Sequence, residues 1–205
     1  MPNKDKYPVL VLEVRLLDMP SPVIRQVAVR SGTSMRELHH IVQAIMPWTT
    51  SHLYDFKFNR GSSETEIQIG DTQLWDEEMP PENDDRLYYV EDIFAKKGEQ
   101  VTYTYDMGDD WIHEIRLLDI ENDPFRFPVI PCLVAGEGQC PPEDCGGVPG
   151  YRELLKTISD KKHPEYQDTM QWLSGMRWKP EKFKMGKIQD SLNKYKTVMW
   201  QQYMG

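Results

Sequence analysis

Residues 101–117 read VTYTYDMGDDWIHEIRL, and they carry a well-defined strand pattern. Apolar and polar side chains alternate on both sides of the DMGDD segment, which is typical of two strands that each bury one face. The aspartates and the glycine of DMGDD favour a tight turn between the strands. The sequence therefore predicts an antiparallel hairpin with a largely aromatic buried face. We expect three cross-strand pairs: Tyr105 with Trp111, Tyr103 with His113, and Val101 with Ile115.

Alternation of the same kind occurs earlier in the chain, in residues 9–17 and 23–29 on either side of Pro20 and Pro22. It predicts a second antiparallel hairpin. Ser34 and Glu37 have the spacing of a capping box, so an amphipathic helix is expected to begin there and to end at Pro47. A strand near residues 54–58 follows, and the order hairpin, helix, strand is typical of a β-grasp-like start.

The second half of the chain has a different composition and periodicity from the first. Residues 119–150 are rich in proline and glycine and show little periodicity, which predicts a long irregular segment of functional importance. Residues 151–205 contain three amphipathic helical patterns. The predicted fold class is α+β: an antiparallel or mixed sheet with an early amphipathic helix and a helical carboxy-terminal third packed on it. We expect one domain, 1–205, of which 151–205 is the helical part.

The composition is that of a globular protein. A chain of 205 residues with 39% hydrophobic and 28% charged residues can bury a core without a stabilising metal or disulfide. No apolar run approaches the roughly 20 residues that cross a bilayer, and the start lacks a signal-peptide pattern. Three cysteines do not form a disulfide framework. We therefore predict a soluble, cytoplasmic protein without a membrane partner.

The net charge of −9 is unevenly distributed. Acidic residues exceed basic ones in residues 1–150, and basic residues exceed acidic ones in 151–205. An acidic body repels phosphate, which argues against general nucleic-acid binding. The basic carboxy-terminal helices leave a weaker nucleic-acid contact open, although a solvated helical face is the commoner meaning of such a charge pattern.

Three segments together resemble a known family. They are YTYDMGDDWIH at 103–113, CPPEDCGGVPGY at 140–151, and the first predicted helix from MRELH at 35–39 through to HLYDF at 52–56. The chain is similar to the plasmid open-reading-frame-three-like family, which is also met as passenger proteins of transposable elements. Met107 replaces the usual phenylalanine, and Lys179-Pro180 stands where the family has aspartate before proline. The resemblance implies an α+β fold and an association with mobile elements, but no established activity.

The turn at Asp106–Asp110 and the nearby His113 form the first candidate site. Asp106 or Asp109 could orient His113 or share a proton with it, or all three could bind a metal. Alternatively, the aspartates are turn-forming residues. His113 would then be a core histidine on the apolar face, bonded to a neighbour such as Tyr103.

The segment 140–151 is the second candidate. Glu143 and Asp144 present two charges, Gly146-Gly147 allows the backbone to bend, and a helix begins near Tyr151. The acidic residues disfavour phosphate, so the sequence leaves two interpretations. One is a cation-binding loop, and the other is a structural clasp whose carboxylates accept backbone amide hydrogen bonds.

The three cysteines suggest a further possibility. Cys132, Cys140 and Cys145 together with His113 would supply a tetrahedral zinc site, although their spacing is not that of a zinc ribbon. Small buried thiols are the alternative, and a nucleophilic Cys145 activated by His113 is a third. No other cofactor is predicted. His39, His40, Trp48 and His52 border the first helix. They could form a binding cluster, although packing of Trp48 over the helix end is the commoner account.

Two main functions compete. Nucleotide-binding glycine motifs, a serine elbow and a zincin helix motif are absent from the sequence. We favour a non-catalytic binding or accessory module with its ligand where the Asp106–Asp110 turn meets the Glu143–Gly147 loop. The alternative is a metal-dependent hydrolase that uses Asp106, Asp109, His113, Glu143 and Asp144. The candidate ligand-binding residues are Tyr103, Asp106, Asp109, Trp111, His113, Glu143, Asp144, Gly146, Gly147 and Tyr151.

Overall fold

A computed structural model describes residues 8–59, 66–75, 80–123, 125–127, 129–175, 178 and 183–204, with side chains up to residue 197. The first seven residues and Lys179-Pro180, which departs from the family pattern, lie outside these ranges. Eight strands and five helices follow in this order: β1 (Val9–Leu16), β2 (Val23–Arg30), α1 (Met35–Ile45), β3 (Tyr54–Asn59), β4 (Glu66–Gly70), β5 (Asn83–Asp84), α2 (Val90–Ile93), β6 (Gln100–Tyr105), β7 (Trp111–Glu121), β8 (Cys132–Glu137), α3 (Gly147–Ser159), α4 (Tyr166–Gly175) and α5 (Met185–Met204).

The strands form one mixed sheet in the order β5-β4-β3-β6-β7-β1-β2-β8. Described neighbours are antiparallel except β4 and β5, which are parallel. The predicted α+β class is therefore confirmed, and both predicted hairpins form. The β6–β7 hairpin inserts between β3 and β1, and its three expected cross-strand pairs are all present.

Helix α1 covers one face of this sheet because its apolar residues recur at helical spacing. Its apolar residues Met35, Leu38, Ile41, Val42 and Ile45 are all buried, and they pack with the inward residues of the strands in one core. Helix α5 in turn contacts α1 and β8, so the carboxy-terminal part packs on the rest of the fold as predicted. Among the described residues, no helix is both long and apolar enough to cross a membrane.

The prediction that residues 119–150 are irregular is wrong for three parts of the segment. Strand β7 continues to Glu121, β8 pairs with β2 at the far edge of the sheet, and α3 already begins at Gly147. Within β8 only Leu133 is buried, the pairing shifts register at Gln26/Val27, and Gly136 interrupts the side-chain pattern. A strand with one buried side chain and a glycine has no alternation that sequence analysis can detect.

The capping box of α1 gives the first testable prediction. The Ser34 hydroxyl accepts the Glu37 amide at 3.2 Å, and the Glu37 carboxylate accepts the Ser34 amide at 2.8 Å. Ser34→Ala should lower the free energy of unfolding by about 1 kcal/mol because one amide loses its acceptor. Urea denaturation measures this change, and Ser34→Asp, which preserves an acceptor, is the control. Equal losses in the two variants would contradict the capping role.

Candidate functional site

The two motif segments lie against each other. The Gly146 amide donates to Asp109 Oδ2 at 3.2 Å, which joins the loop before α3 to the β6–β7 turn. Gly147 has a φ of +64°, and a Cβ placed there would lie 2.3 Å from the Asp109 carbonyl oxygen. The backbones approach so closely that no side chain fits between them. The second glycine of the CPPEDCGG motif, Gly147, is therefore required by this contact.

The turn holds one aspartate in a fixed orientation. Asp106 has a φ of +60°, and its Oδ1 accepts the amides of Gly108 at 3.0 Å and Asp109 at 3.3 Å. These bonds leave the second oxygen, Oδ2, directed away from the turn. It lies 3.6 Å from Nδ1 of His52, a residue in the loop between α1 and β3. The turn thus presents one carboxylate oxygen whose partner is a histidine from another segment.

His52 is placed between two carboxylates. Its Nε2 lies 3.1 Å from Oδ1 of Asp144, while its Nδ1 faces Asp106. One ligand atom from each residue can be chosen so that all three lie within 4.8 Å of one another. The side chains of His52 and Asp106 are 30% and 12% exposed, and that of Asp144 is 61% exposed. The structure therefore brings Asp106 and Asp144 together, with His52 as the imidazole between them.

His113 is not part of this cluster, contrary to the carboxylate–histidine interpretation. It is fully buried on the inward face of β7, where Nδ1 lies 3.3 Å from the Tyr103 carbonyl oxygen and its ring meets Trp48 edge-on. Burial lowers the pKa of His113 to about 4. The alternation of β7 places the ring in the core, so the core-histidine interpretation is the correct one.

The Glu143 carboxylate links separate segments of the chain, so it is not available to bind a ligand. It is buried, and its Oε1 accepts the Tyr105 hydroxyl at 2.6 Å while its Oε2 accepts the Thr49 amide at 2.9 Å. Burial, reinforced by the neighbouring Glu143, raises the pKa of Tyr105, which therefore stays protonated and donates. The indole of Trp48 donates to the Pro141 carbonyl at 3.1 Å beside this carboxylate. Glu143 is therefore engaged, and of the two motif carboxylates only Asp144 faces solvent.

The cysteines and His113 do not assemble into the zinc site that the sequence left possible. Cys140 is buried with its Sγ 3.9 Å from Met46 Sδ, Cys145 Sγ lies 4.0 Å from the Gly147 carbonyl oxygen, and Cys132 belongs to the edge strand β8. Within the described part of the chain, the one group with metal-ligand spacing contains no cysteine. Burial, with Asp109 and Asp144 nearby, raises the pKa of Cys145 to about 12, which also argues against a nucleophile.

The predicted aromatic residues lie in the core, and the ring that meets His52 edge-on is that of Tyr105. Tyr103 is fully buried, and its hydroxyl is bonded to His39 Nδ1 at 2.8 Å and to Gln43 Nε2 at 3.0 Å. Trp111 and Tyr151 are also buried. Tyr103 and Trp111 are fully buried and so have no surface for a ligand, and Tyr151 packs against Trp178.

The sequence analysis noted His52 near the end of the first helix but did not place it beside Asp106 and Asp144. The relevant signal is the register between β3 and β6, in which Tyr54 pairs with Tyr105. Just beyond this pair, the Asp106 amide donates to the Leu53 carbonyl at 2.8 Å. The strand pair and this backbone bond set the loop that carries His52 beside the β6–β7 turn. Pairing of strands so distant in sequence cannot be read from alternation alone.

The fold and these joined segments define an α+β protein built around two short motifs that meet beside a buried aromatic wall. The chain belongs to the plasmid pRiA4b ORF-3-like protein family, whose sequence model matches residues 8–187. It is 33% identical over 168 residues to the uncharacterized protein y4hQ of Sinorhizobium fredii (strain NBRC 101917 / NGR234), covering 80% of each chain. It also resembles the crystal structure of MM3350 from Methanosarcina mazei Go1, a protein of unknown function, with a TM-score of 0.74 and 30% identity over 88% of this chain and 97% of that one.

The contact between the motifs gives a prediction with a matched control. Gly147→Ala should destabilise the protein by more than Gly146→Ala, although both residues have a positive φ. At Gly146 a Cβ meets nothing closer than 3.6 Å, so that variant bears only the backbone strain of about 1 kcal/mol. At Gly147 the added carbon also collides with Asp109, which should cost roughly 1–3 kcal/mol more. Chemical denaturation compares the two, and equal losses would contradict the close contact.

Burial of His113 predicts a pH dependence of stability. Unfolding returns the pKa of His113 from about 4 towards 6.5, so the unfolded state binds its proton first as the pH falls. Stability should therefore decrease as the pH falls from about 6.5 to about 4, and His113 should account for roughly 3 kcal/mol of the decrease. His39, whose pKa burial also lowers, contributes in the same direction.

Denaturation at several pH values measures this dependence. In His113→Phe, the slope of unfolding free energy against pH between about 6 and 4.5 should be smaller than in the parent protein by close to one proton. The slope is compared rather than the stability itself, because the substitution also changes packing. An unchanged slope would show that His113 is protonated in the folded state.

Proposed function

We propose that this protein is a non-catalytic binding module whose ligand site lies where the Asp106–Asp110 turn meets the Glu143–Gly147 loop. A divalent cation is the ligand that fits the side chains there. The observation that carries the proposal is the placement of His52 between the carboxylates of Asp106 and Asp144.

The donor set indicates which cations fit. One imidazole nitrogen and two carboxylate oxygens suit Zn²⁺ or Mn²⁺, which accept mixed nitrogen and oxygen ligands. Ligand atoms at about 2.1 Å from one metal are at most about 4.2 Å apart. The two carboxylates face different nitrogens of His52, so the exposed Asp144 side chain would move towards Nδ1, beside Asp106, to complete the set. Asp106 is already oriented by the amides of Gly108 and Asp109, an arrangement that supports metal ligands in many proteins.

The geometry favours binding over hydrolysis. Of the five residues expected for a hydrolase, His113 is a buried neutral ring, Glu143 is held by Tyr105 and Thr49, and Asp109 accepts the Gly146 amide. Asp106 and Asp144 remain, and both would be metal ligands rather than a general base. A metal-dependent hydrolase stays the second candidate because a cation with open positions could activate water, but no further side chain of the predicted set supports it.

The biological setting is also part of the proposal. The plasmid in the family description supports a role as an accessory protein of mobile elements, and the association with transposons rests on the resemblance alone. A cytoplasmic location is consistent with such a role. Nucleic-acid contact through the carboxy-terminal helices is the weaker alternative, because Lys156 of α3 is paired with Glu153 at 2.8 Å, while Lys184 and Lys187 line a cleft.

Calorimetric titration of protein purified without a polyhistidine tag tests the cation site. Zn²⁺ or Mn²⁺ should bind with a stoichiometry of one, and Asp144→Asn should weaken binding by roughly tenfold or more because one charged ligand is lost. Asp144 is exposed, so its substitution should leave the fold intact.

Asp110→Asn is the matched control, since it removes the same charge from an exposed position of the β6–β7 turn outside the ligand group. It should bind the cation as the parent protein does. Absence of cation binding in the parent protein, or equal weakening in the two variants, would contradict the proposed site.

A further inference from the structure

A cleft of about 510 Å³ lies on the other flank of the CPPEDCGG motif. Its walls come from the end of α1, from the chain at 139–143 and from the chain that leads into α5. The volume is in the usual range for small-molecule sites. None of His52, Asp106 and Asp144 lines it, so the cleft is separate from the proposed cation site.

Arg25 lies in the wall of this cleft and is only 1% exposed. Its guanidinium donates to four backbone carbonyls: Nε to Ile45 at 3.0 Å, Nη1 to Ile24 at 2.8 Å and Glu137 at 2.6 Å, and Nη2 to Gly138 at 3.0 Å. A guanidinium has five N–H groups, so these bonds leave one N–H on Nη2. The side chain is therefore held rigidly and retains one donor.

The charge of Arg25 has no carboxylate partner among the described residues. Within that part of the chain no acidic side chain lies at ion-pair distance from it. Cys140 is the neighbour that would stabilise the charge, but burial raises the pKa of its thiol and keeps it neutral. Glu143, the acidic residue of the cleft wall, is already bonded to Tyr105 and Thr49. Carbonyl dipoles solvate a buried cation but do not neutralise it.

Further cationic and aromatic side chains line the same cleft. Lys184 and Lys187 are exposed at its rim, and Trp48, Trp178 and Phe183 form an apolar wall. The Trp178 indole is fixed by a bond to the Cys140 carbonyl at 2.8 Å. These residues combine positive charge with flat apolar surface in one concave site, which favours an anion that carries a ring.

Phe183 connects the apolar wall to the buried charge. The guanidinium carbon of Arg25 lies 4.4 Å from the centre of the Phe183 ring. The ring also lies against Gly136 of β8, where a Cβ would come within 2.4 Å of it. Gly136 thus makes room for an aromatic ring beside the cation, and the ring lines the cleft next to the charge.

We propose that this cleft binds a small organic anion whose carboxylate or phosphate group is attracted by Arg25, Lys184 and Lys187 and whose flat apolar part packs on Trp48, Trp178 and Phe183. Arg25 would act through its charge, because its side chain is buried. This inference does not depend on the cation site, because the two sites share none of the proposed ligand-contacting side chains.

Calorimetric titration with phenyl phosphate tests the proposal. It should bind the parent protein with a stoichiometry of one, more tightly than inorganic phosphate, and benzylammonium should not compete. Lys184→Gln/Lys187→Gln should weaken phenyl phosphate binding by about tenfold, because two favourable charges are lost at the rim. Phenylacetate, titrated in parallel, distinguishes a carboxylate from a phosphate preference.

Lys161→Gln/Lys162→Gln is the control, since it removes two charges from exposed positions away from the cleft. It should bind phenyl phosphate as the parent protein does, as should Asp144→Asn. The proposal is wrong if neither phenyl phosphate nor phenylacetate binds at millimolar concentration, if both lysine pairs weaken binding equally, or if inorganic phosphate binds as tightly. If Asp144→Asn loses cation binding but still binds phenyl phosphate, only the proposed cation site is affected and the anion site is separate from it.

Discussion

One buried carboxylate, that of Glu143, holds together the parts of the chain on which both candidate sites depend. It accepts the Tyr105 hydroxyl from the end of β6 and the Thr49 amide from the loop after α1. A buried carboxylate is costly unless its oxygens are bonded, so these two bonds fix three segments in one arrangement. The hairpin, the end of the first helix and the CPPEDCGG motif therefore keep their relative positions because they share this group.

Much of the fold could be predicted because its signals are local. Alternation on both sides of a short turn fixes the pairing of Tyr103 with His113, and the spacing of Ser34 and Glu37 fixes the start of α1. The same alternation places His113 in the core, which makes the core-histidine interpretation correct. The two motifs were expected to converge at a ligand site, and their direct contact through Gly146 and Asp109 is seen in the structure.

The rest depends on contacts between distant segments. His52 reaches the cluster through the pairing of β3 with β6, and β8 lies beside β2 with a single buried side chain. Arg25 shows where the sequence stops being informative. It lies on the same face of β2 as Val23 and Val27, so alternation alone predicts that its side chain points inward. What the sequence does not show is that four carbonyls, two of them from residues 137 and 138, would surround its guanidinium.

The CPPEDCGG motif is thus first a structural junction with a different surface on each flank. The carbonyls of Cys140 and Pro141 accept two indole N–H groups on the side of the cleft, whereas Asp144 faces His52 on the other side. Since Glu143 is bonded between them, a ligand on either flank would meet a wall that is already ordered, and little conformational entropy would be lost on binding. The motif itself is poorly suited to covalent chemistry, because burial and nearby acids raise the pKa of Cys145 and so suppress its thiolate. A preformed surface without an activated nucleophile is suited to binding.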